Sequence, residues 1–280
     1  MLTSILLSGM VIFSAPDLVE GEVTLVTDGY LFSEGPVWIA GKGLVFSDVV
    51  GNTLYHADHT AFRKESNRTN GLALDPEGRL VACESALKRI TRTEKDGSIT
   101  VIAEKFNGKS FNSTNDIAVR SDGGVYFTDP GATSKTELST NGVYRIEPDS
   151  GELIELSTTA RFPNGIGFSP DEKTLYVADY MGVKIRQYDV GDDGRVSNER
   201  DFCKVTNPDG FAVDEKGNVW TTCREGISIY NPKGKKLHTF KVPITPTNCC
   251  FGGEDGKTLF ITARKALYKI ETNVKGLGKF

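Results

Sequence analysis

Six copies of one short frame, hairpin signals inside each copy and the lack of any amphipathic stretch of helical length predict an all-β fold, a six-bladed β-propeller. Each copy begins on an acidic or amide residue and continues as a small apolar run. It then turns on a polar, mostly Gly-bearing segment and ends in a second apolar run. The copies read EGPVWIAGKGLVFSD from Glu34, NGLALDPEGRLVACE from Asn70 and NDIAVRSDGGVYFTD from Asn115. The others read NGIGFSPDEKTLYVAD from Asn164, DGFAVDEKGNVWTTC from Asp209 and NCCFGGEDGKTLFITA from Asn248. Their starts lie 36, 45, 49, 45 and 39 residues apart, a variation that belongs in loops.

Within a copy, β-branched and aromatic runs flank DPEG, RSDGG, SPDEK or DEKG, the pattern of two antiparallel strands about a tight turn. Further alternating runs follow, as in LKRITRTEKDGSITVIAE and VKIRQYDVGDDGRVSNERDF, each folded about a DG turn. Four strands per copy make a blade, and neighbouring blades cover each other's apolar faces. A large β-sandwich would show no six-fold recurrence. Residues 21–280 then form one closed domain, and no Pro- or Ser-rich linker suggests another boundary.

Residues 1–20 either precede that domain or add a strand to it. The apolar run LTSILLSGMVIFSA is too short to span a membrane, which needs ~20 residues. It has the length of a signal peptide but lacks a preceding Lys or Arg, and Phe13 occupies a slot that prefers a small residue. A cleaved leader implies a periplasmic or secreted protein, and an N-terminal strand implies a cytoplasmic one. Stable membrane insertion is not expected.

Composition narrows the chemistry. With 33 Lys+Arg against 37 Asp+Glu the net charge is −4, which gives no footprint for nucleic acid. Five cysteines without a CxxC pair exclude zinc-knuckle and thioredoxin-type motifs and read as buried free thiols. Three histidines in 280 residues leave little room for a multi-histidine metal site.

Equivalent positions in propeller blades lie at equivalent distances from the central channel. The first residue of each copy therefore brings Glu34, Asn70, Asn115, Asn164, Asp209 and Asn248 to one mouth of it. Two carboxylates and four amides are hard oxygen ligands, which select calcium or magnesium over softer metals. Magnesium prefers water and phosphate to a protein cage, so a central metal-binding channel loaded with calcium is expected. Asn or Asp before Gly is also ordinary turn chemistry. Six in register, one of them a glutamate, exceed what turns require. Asp116 beside the ring either orients a ligand amide or caps its turn, and Trp38 and Trp220 read as blade packing.

In order and at these spacings, SEGPVW, TNGLALDPEGRLVACE, NSTNDIAVRSDGGVYFTDP, RFPNGIGFSPDEKTLYVAD, NPDGFAVDEKGNVW and NCCFGGEDGKTLFITA resemble the SMP-30, gluconolactonase and luciferin-regenerating enzyme family, which includes regucalcin. The resemblance covers residues 22–272. It implies a hydrolase, a lactonase opening sugar lactones or related esters, with one divalent cation at the channel mouth. Calcium is expected first, with magnesium, zinc and manganese left open.

Carried over position by position, the resemblance implies Glu34, Asn164 and Asp209 as metal ligands. Asp209 becomes general base or nucleophile, and Asn115 a catalytic amide that meets metal or substrate. Asn70, Asn248 and Asp116 stand as further substrate contacts. Thr114, Ser113 and Ser85 depart from residues usual in the family, so the choice of lactone is not implied. Arg68, Glu84, Asp129, Asp179, Tyr180 and Arg224 are placed to line the mouth or to shape its turns. Other readings are an organophosphate-hydrolysing relative and a non-catalytic, calcium-binding interaction platform. Two carboxylates facing each other without a cation speak against the platform.

Overall fold

The computed structural model describes residues 18–278, all in strands, turns and connecting segments, with no helix among them. Residues 1–17, where most of the expected leader falls, lie outside the described residues, as do residues 279–280. Every predicted hairpin forms. Residues 33–39 of Val19–Ile39 pair antiparallel with Gly43–Asp48, Thr69–Leu74 with Leu80–Glu84, and Ile117–Val119 with Val125–Asp129. Pro163–Phe168 pairs with Thr174–Asp179, Phe211–Val213 with Val219–Cys223, and Asn248–Gly252 with residues 258–262 of Thr258–Thr272. The DG-turn pairs follow as third and fourth strands, such as Arg89–Thr93 with Ile99–Ala103 and Lys184–Val190 with Val196–Lys204.

The arrangement is all-β and propeller-like, but the sheets do not divide as the repeats predict. Four sheets have four strands, one has six, and Lys105–Phe106 with Lys109–Ser110 adds a small ribbon. Among the described residues there are thus five sheets of four or more strands rather than six. The reason is chain continuity. Val19–Ile39 pairs with Thr258–Thr272 over residues 19–33 and with Gly43–Asp48 over residues 33–39, so hydrogen bonding never breaks between the first and last repeats.

Six apolar clusters lie between neighbouring repeats, because both faces of each sheet are apolar. Val45 and Leu54 of the first repeat meet Leu72 and Leu80 of the second. Val81 and Ile90 meet Ile117 and Phe127, and Tyr126 and Val143 meet Ile166 and Leu175. Tyr176 and Ile185 meet Phe211 and Val219, while Trp220 and Ile229 meet Phe251 and Ile261. The sixth cluster returns from Phe260 and Leu267 to Leu44 and Phe46. At roughly 25 cal/mol per Å² of apolar surface removed from water, these interfaces supply the main stabilisation. Trp38 stacks on Phe260 at 5.7 Å between ring centres, and the fully buried Trp220 donates its indole N–H to Asp214 Oδ2 at 2.9 Å.

The inner ends of successive repeats are joined in a circle, through first and second strands alike. Ser47 Oγ donates to Asn70 O at 2.7 Å, Gly71 N to Asn115 O at 2.7 Å, and Thr128 Oγ1 to Asn164 O at 2.8 Å. Gly165 N donates to Asp209 O at 3.2 Å and Gly210 N to Thr247 O at 2.8 Å. Thr247 Oγ1 closes the circle onto Ser33 O at 2.8 Å. These bonds satisfy buried main-chain groups, whose loss would cost about 1–3 kcal/mol each.

Candidate active site at the channel mouth

The circle of hydrogen bonds runs through the backbone carbonyls of Asn70, Asn115, Asn164 and Asp209 and through Ser33 and Thr247, the residues that precede Glu34 and Asn248, so the six side chains gather at one end of the channel. Glu34, Asn164 and Asn248 are buried, while Asn70, Asn115 and Asp209 are half-buried. Asp116, which sequence reasoning left between two roles, is also buried and faces the ring. Glu34 Oε2 accepts from Gly35 N at 3.2 Å, and the Asn248 side chain hydrogen-bonds the same carboxyl group. Asn248 Nδ2 also reaches Asp116 Oδ2 at 3.4 Å, while Cys249 N donates to Asn248 Oδ1 at 2.8 Å. Asn164 hydrogen-bonds the Asp209 carboxyl group. Asn70 and Asn115 contribute main-chain carbonyls to the circle described above.

Electrostatics bind the acids into one unit. Burial, followed by the nearby charges of Asp209 and Asp116, raises Glu34 well above the ordinary carboxylate range. Asp209 is pushed up to about 8, mainly by burial and then by Asp116. The exposed Arg264 and the Asn164 amide pull it down without offsetting that. Burial also raises Asp116 to about 6 against hydrogen bonds from Ile117 N and Asn248. Three acids that disfavour their own charges have found no internal counterion adequate to the task.

Among the described residues, however, no three acids, histidines or cysteines converge closely enough to hold a metal between them. Glu34, Asp116 and Asp209 stand together with the Asn164 and Asn248 amides among them, and ligation of a cation would need those amides. The Asn248 amide is engaged by Glu34, Asp116 and Cys249 N.

Close backbone approach is built in by glycine. A Cβ on Gly210 would stand 2.0 Å from Asn248 Cγ, and one on Gly35 would stand 2.0 Å from Asn70 O. A cavity of about 630 Å³ occupies the channel behind the ring. Asp116 and Asn248 stand at its inner end, Leu72, Ile166, Phe211 and Phe251 form its walls, and the turns of the opposite face surround its far opening.

Most of the acids expected at the mouth act on turns. Asp48, not among those expected there, accepts from Leu31 N at 3.0 Å, Phe32 N at 2.8 Å and Gly51 N at 3.0 Å, three residues or fewer from Glu34 in the first two cases. Asp129 accepts from Asn112 N at 2.8 Å and Ser113 N at 2.7 Å, just before Asn115. Asp179 accepts from Phe162 N at 3.1 Å and is paired with Arg186 at 2.9 Å. Glu84 binds Asn67 and Arg89. Tyr180 packs edge-on against Phe162, and Arg68 and Arg224 are exposed. Sequence reasoning missed Arg264 and the threonines of the hydrogen-bonded circle. The recurrence of Thr before Asp or Cys at the second-strand end, in FTD and TTC, was the available signal.

The histidines stand apart from this site. His59 stacks on Tyr30, His56 meets Phe62 edge-on, and His238 lies beside Phe240. All five cysteines are unpaired, four of them buried.

Residues 32–265 match the family model described as the SMP-30/gluconolactonase/LRE-like region. The chain belongs to this family. A gluconolactonase from Zymomonas mobilis is 32% identical, over 92% of this chain and 83% of that protein. Regucalcin from Xenopus laevis is 28% identical, over 85% of each chain. A gluconolactonase of solved structure from Xanthomonas campestris is 33% identical with a TM-score of 0.85, covering 92% of this chain and 91% of that one. Membership of the SMP-30/gluconolactonase family accounts for the order of the six motifs along the chain.

Proposed function

We propose that the protein is a divalent-metal-dependent hydrolase that opens lactones, sugar lactones or related esters among them, at the ring mouth. The observation that carries the proposal is the crowding of Glu34, Asp116 and Asp209, all held above their ordinary range by burial. The gluconolactonases of similar sequence support a lactone as the substrate class.

The donor set fits a hard cation. It contains carboxylate and amide oxygens and neither sulfur nor imidazole, which favours calcium, then magnesium. Glu34, Asn164 and Asp209 would hold the ion. When bound, it would supply Lewis-acid stabilisation for oxygen that gains negative charge as a lactone carbonyl is attacked.

Asp209 takes a proton from water as the water oxygen bonds to the carbonyl carbon. The Asn115 amide donates to the carbonyl oxygen as that oxygen becomes an oxyanion. When the carbonyl re-forms, the ring C–O bond breaks, and Asp209 returns the proton to the departing oxygen. Lactone and water together become one hydroxy acid. Asn70 is a further polar group available to substrate, and Asp116 acts through the Asn248 amide on Glu34.

The same reading treats the six-stranded sheet as two blades of a six-bladed propeller. The change of pairing partner at Arg264, whose φ of 51° turns the chain, supports a division there. Residues from about 21 onward then make a single domain.

Base uptake during hydrolysis of glucono-δ-lactone in a pH-stat tests the function. Turnover that is lost on exhaustive chelation and restored by calcium is expected. Turnover that survives chelation removes the metal from the reaction, and no turnover of any lactone with calcium bound overturns the hydrolase.

A further inference from the structure

Nine of the thirteen arginines in the chain are ion-paired with an aspartate or glutamate. Arg68, Arg161, Arg224 and Arg264 are not. Of these four, Arg264 is the one whose charge acts on the Asp209 carboxyl group. Its side chain is exposed, and among the described residues its guanidinium has neither an acid within ion-pair distance nor a hydrogen-bond acceptor. In a chain with more acids than bases, a cation left unpaired beside an acid cluster needs an explanation.

The backbone fixes Arg264 against the ring from two sides. Two residues earlier, Thr262 is the ladder partner of Asn248, and its Oγ1 accepts from Asn248 N at 3.1 Å and from Thr247 Oγ1 at 3.0 Å. The intervening Ala263 is fully buried. At Arg264 the strand changes partner and pairs with Ser33, the residue before Glu34. Ser33 is fully buried, its carbonyl closes the circle by accepting from Thr247 Oγ1 at 2.8 Å, and its hydroxyl donates to Ala266 O at 3.0 Å. Arg264 has a φ of 51°, a left-handed conformation that a side-chain-bearing residue rarely adopts, and the contacts on either side hold it there. The guanidinium thus belongs to the ring mouth, with Glu34 next to its ladder partner and Asp209 within reach of its charge.

We propose that the lactone carries an anionic group, a carboxylate or a phosphate, and that Arg264 binds this group at the edge of the ring and sets the preference for it. This rests on the lactonase reading above. A guanidinium presents planar pairs of N–H donors that match the oxygens of either anion two at a time. Because the side chain is exposed, the anion stays on the solvent side of the acids while the lactone carbonyl enters among them. A neutral polyhydroxylated lactone would leave the charge of Arg264 without a counterpart.

Two matched pairs of substrates test this on the calcium-loaded protein. In the phosphate pair, kcat/KM for 6-phospho-D-glucono-δ-lactone is compared with that for D-glucono-δ-lactone. In the carboxylate pair, D-glucaro-1,4-lactone is compared with D-glucono-1,4-lactone. A preference of about 10-fold or more for the anionic member is expected in at least one pair, the scale of a charge-assisted contact, and the pair that shows it names the anion. Arg264→Gln should bring that ratio close to 1 with turnover of the neutral lactone kept, and Arg264→Lys should restore part of it. Raising NaCl from about 0.05 to about 0.5 M should narrow the ratio in the unsubstituted protein. Arg195→Gln removes an exposed charge from a turn that meets Arg120 at the far opening of the channel, and should leave the ratio unchanged.

No preference in either pair overturns the proposal and leaves the lactonase standing. A loss in Arg264→Gln shared equally by neutral and anionic lactones also overturns it, assigning the arginine to Asp209 alone. So does an equal fall of the ratio in Arg195→Gln, which would be an effect of net charge. Hydrolysis of no lactone whatever overturns both readings.

Discussion

Asn248 holds two buried acids with one amide: its Nδ2 lies 3.4 Å from Asp116 Oδ2, and the same side chain hydrogen-bonds Glu34. Cys249 N fixes the other side of the amide through Oδ1 at 2.8 Å, so the NH₂ group is aimed between the carboxyls. This repeat-opening residue thus stands between two buried acids.

Replacing Asn248 should expose the strain it relieves. Asn248→Ala removes donors from two buried acids and should cost about 1–3 kcal/mol at pH 7. The loss should shrink at pH 5, where more of the acids carry protons. Urea denaturation at both pH values measures the difference, and an equal loss at each would show that Asn248 is packing alone.

The chelated protein should lose stability as pH rises from about 4 to about 8. Folded Asp116 and Asp209 keep protons up to about 6 and about 8, whereas unfolded aspartate releases them near 3.8. Between those values the folded state binds more protons, so raising pH favours the unfolded chain. Calcium held by these acids would require them deprotonated, so its affinity should rise over the same window. Melting temperatures at pH 5, 7 and 9, with chelator and with calcium, decide the matter. A chelated protein most stable at pH 9 would contradict the assignment.

Asp209→Asn should lower kcat by roughly 10² to 10⁴, the usual contribution of a general base. Because the same oxygen set would hold the cation, calcium affinity measured by titration calorimetry should fall as well. Retention of both affinity and most of the turnover would remove Asp209 from the mechanism.

Gly210→Ala and Gly78→Ala separate site geometry from backbone strain. A Cβ at Gly210 meets Asn248 Cγ at 2.0 Å, while one at Gly78 meets nothing within 4 Å. Gly78 has φ of 76°, so its replacement should cost stability of about 1 kcal/mol and leave turnover intact. The Gly210 variant should lose turnover by at least 10-fold, because it displaces the side chain that spaces the acids. Equal turnover in the two variants would count against that close approach.

Asp48→Ala leaves the main-chain N–H groups of Leu31, Phe32 and Gly51 without their acceptor. At about 1–3 kcal/mol per buried unsatisfied donor, a clear fall in melting temperature is expected. Calcium affinity should fall too, since Phe32 leads into Glu34. A variant with lowered melting temperature and unaltered affinity would restrict Asp48 to stability.

The sequence by itself determined the hairpins, their six-fold recurrence and the oxygen chemistry of the ring. Those features are local: alternation fixes which residues share a strand face, a Gly-bearing turn fixes the pairing, and equivalent positions in repeats are read by alignment alone. The absence of histidine from the ring was legible in the same way, since His56, His59 and His238 occupy none of its positions. Tertiary structure decided what depends on closure. It carried the chain unbroken from Thr258–Thr272 through Val19–Ile39, so the first and last repeats share a sheet. It also turned Asp48, Asp129 and Asp179 toward main-chain N–H groups and set Asn248 between Glu34 and Asp116. Contacts between residues 132 positions apart, as for Asn248 and Asp116, arise only when the circle closes, because no local periodicity encodes which side chains meet across a channel.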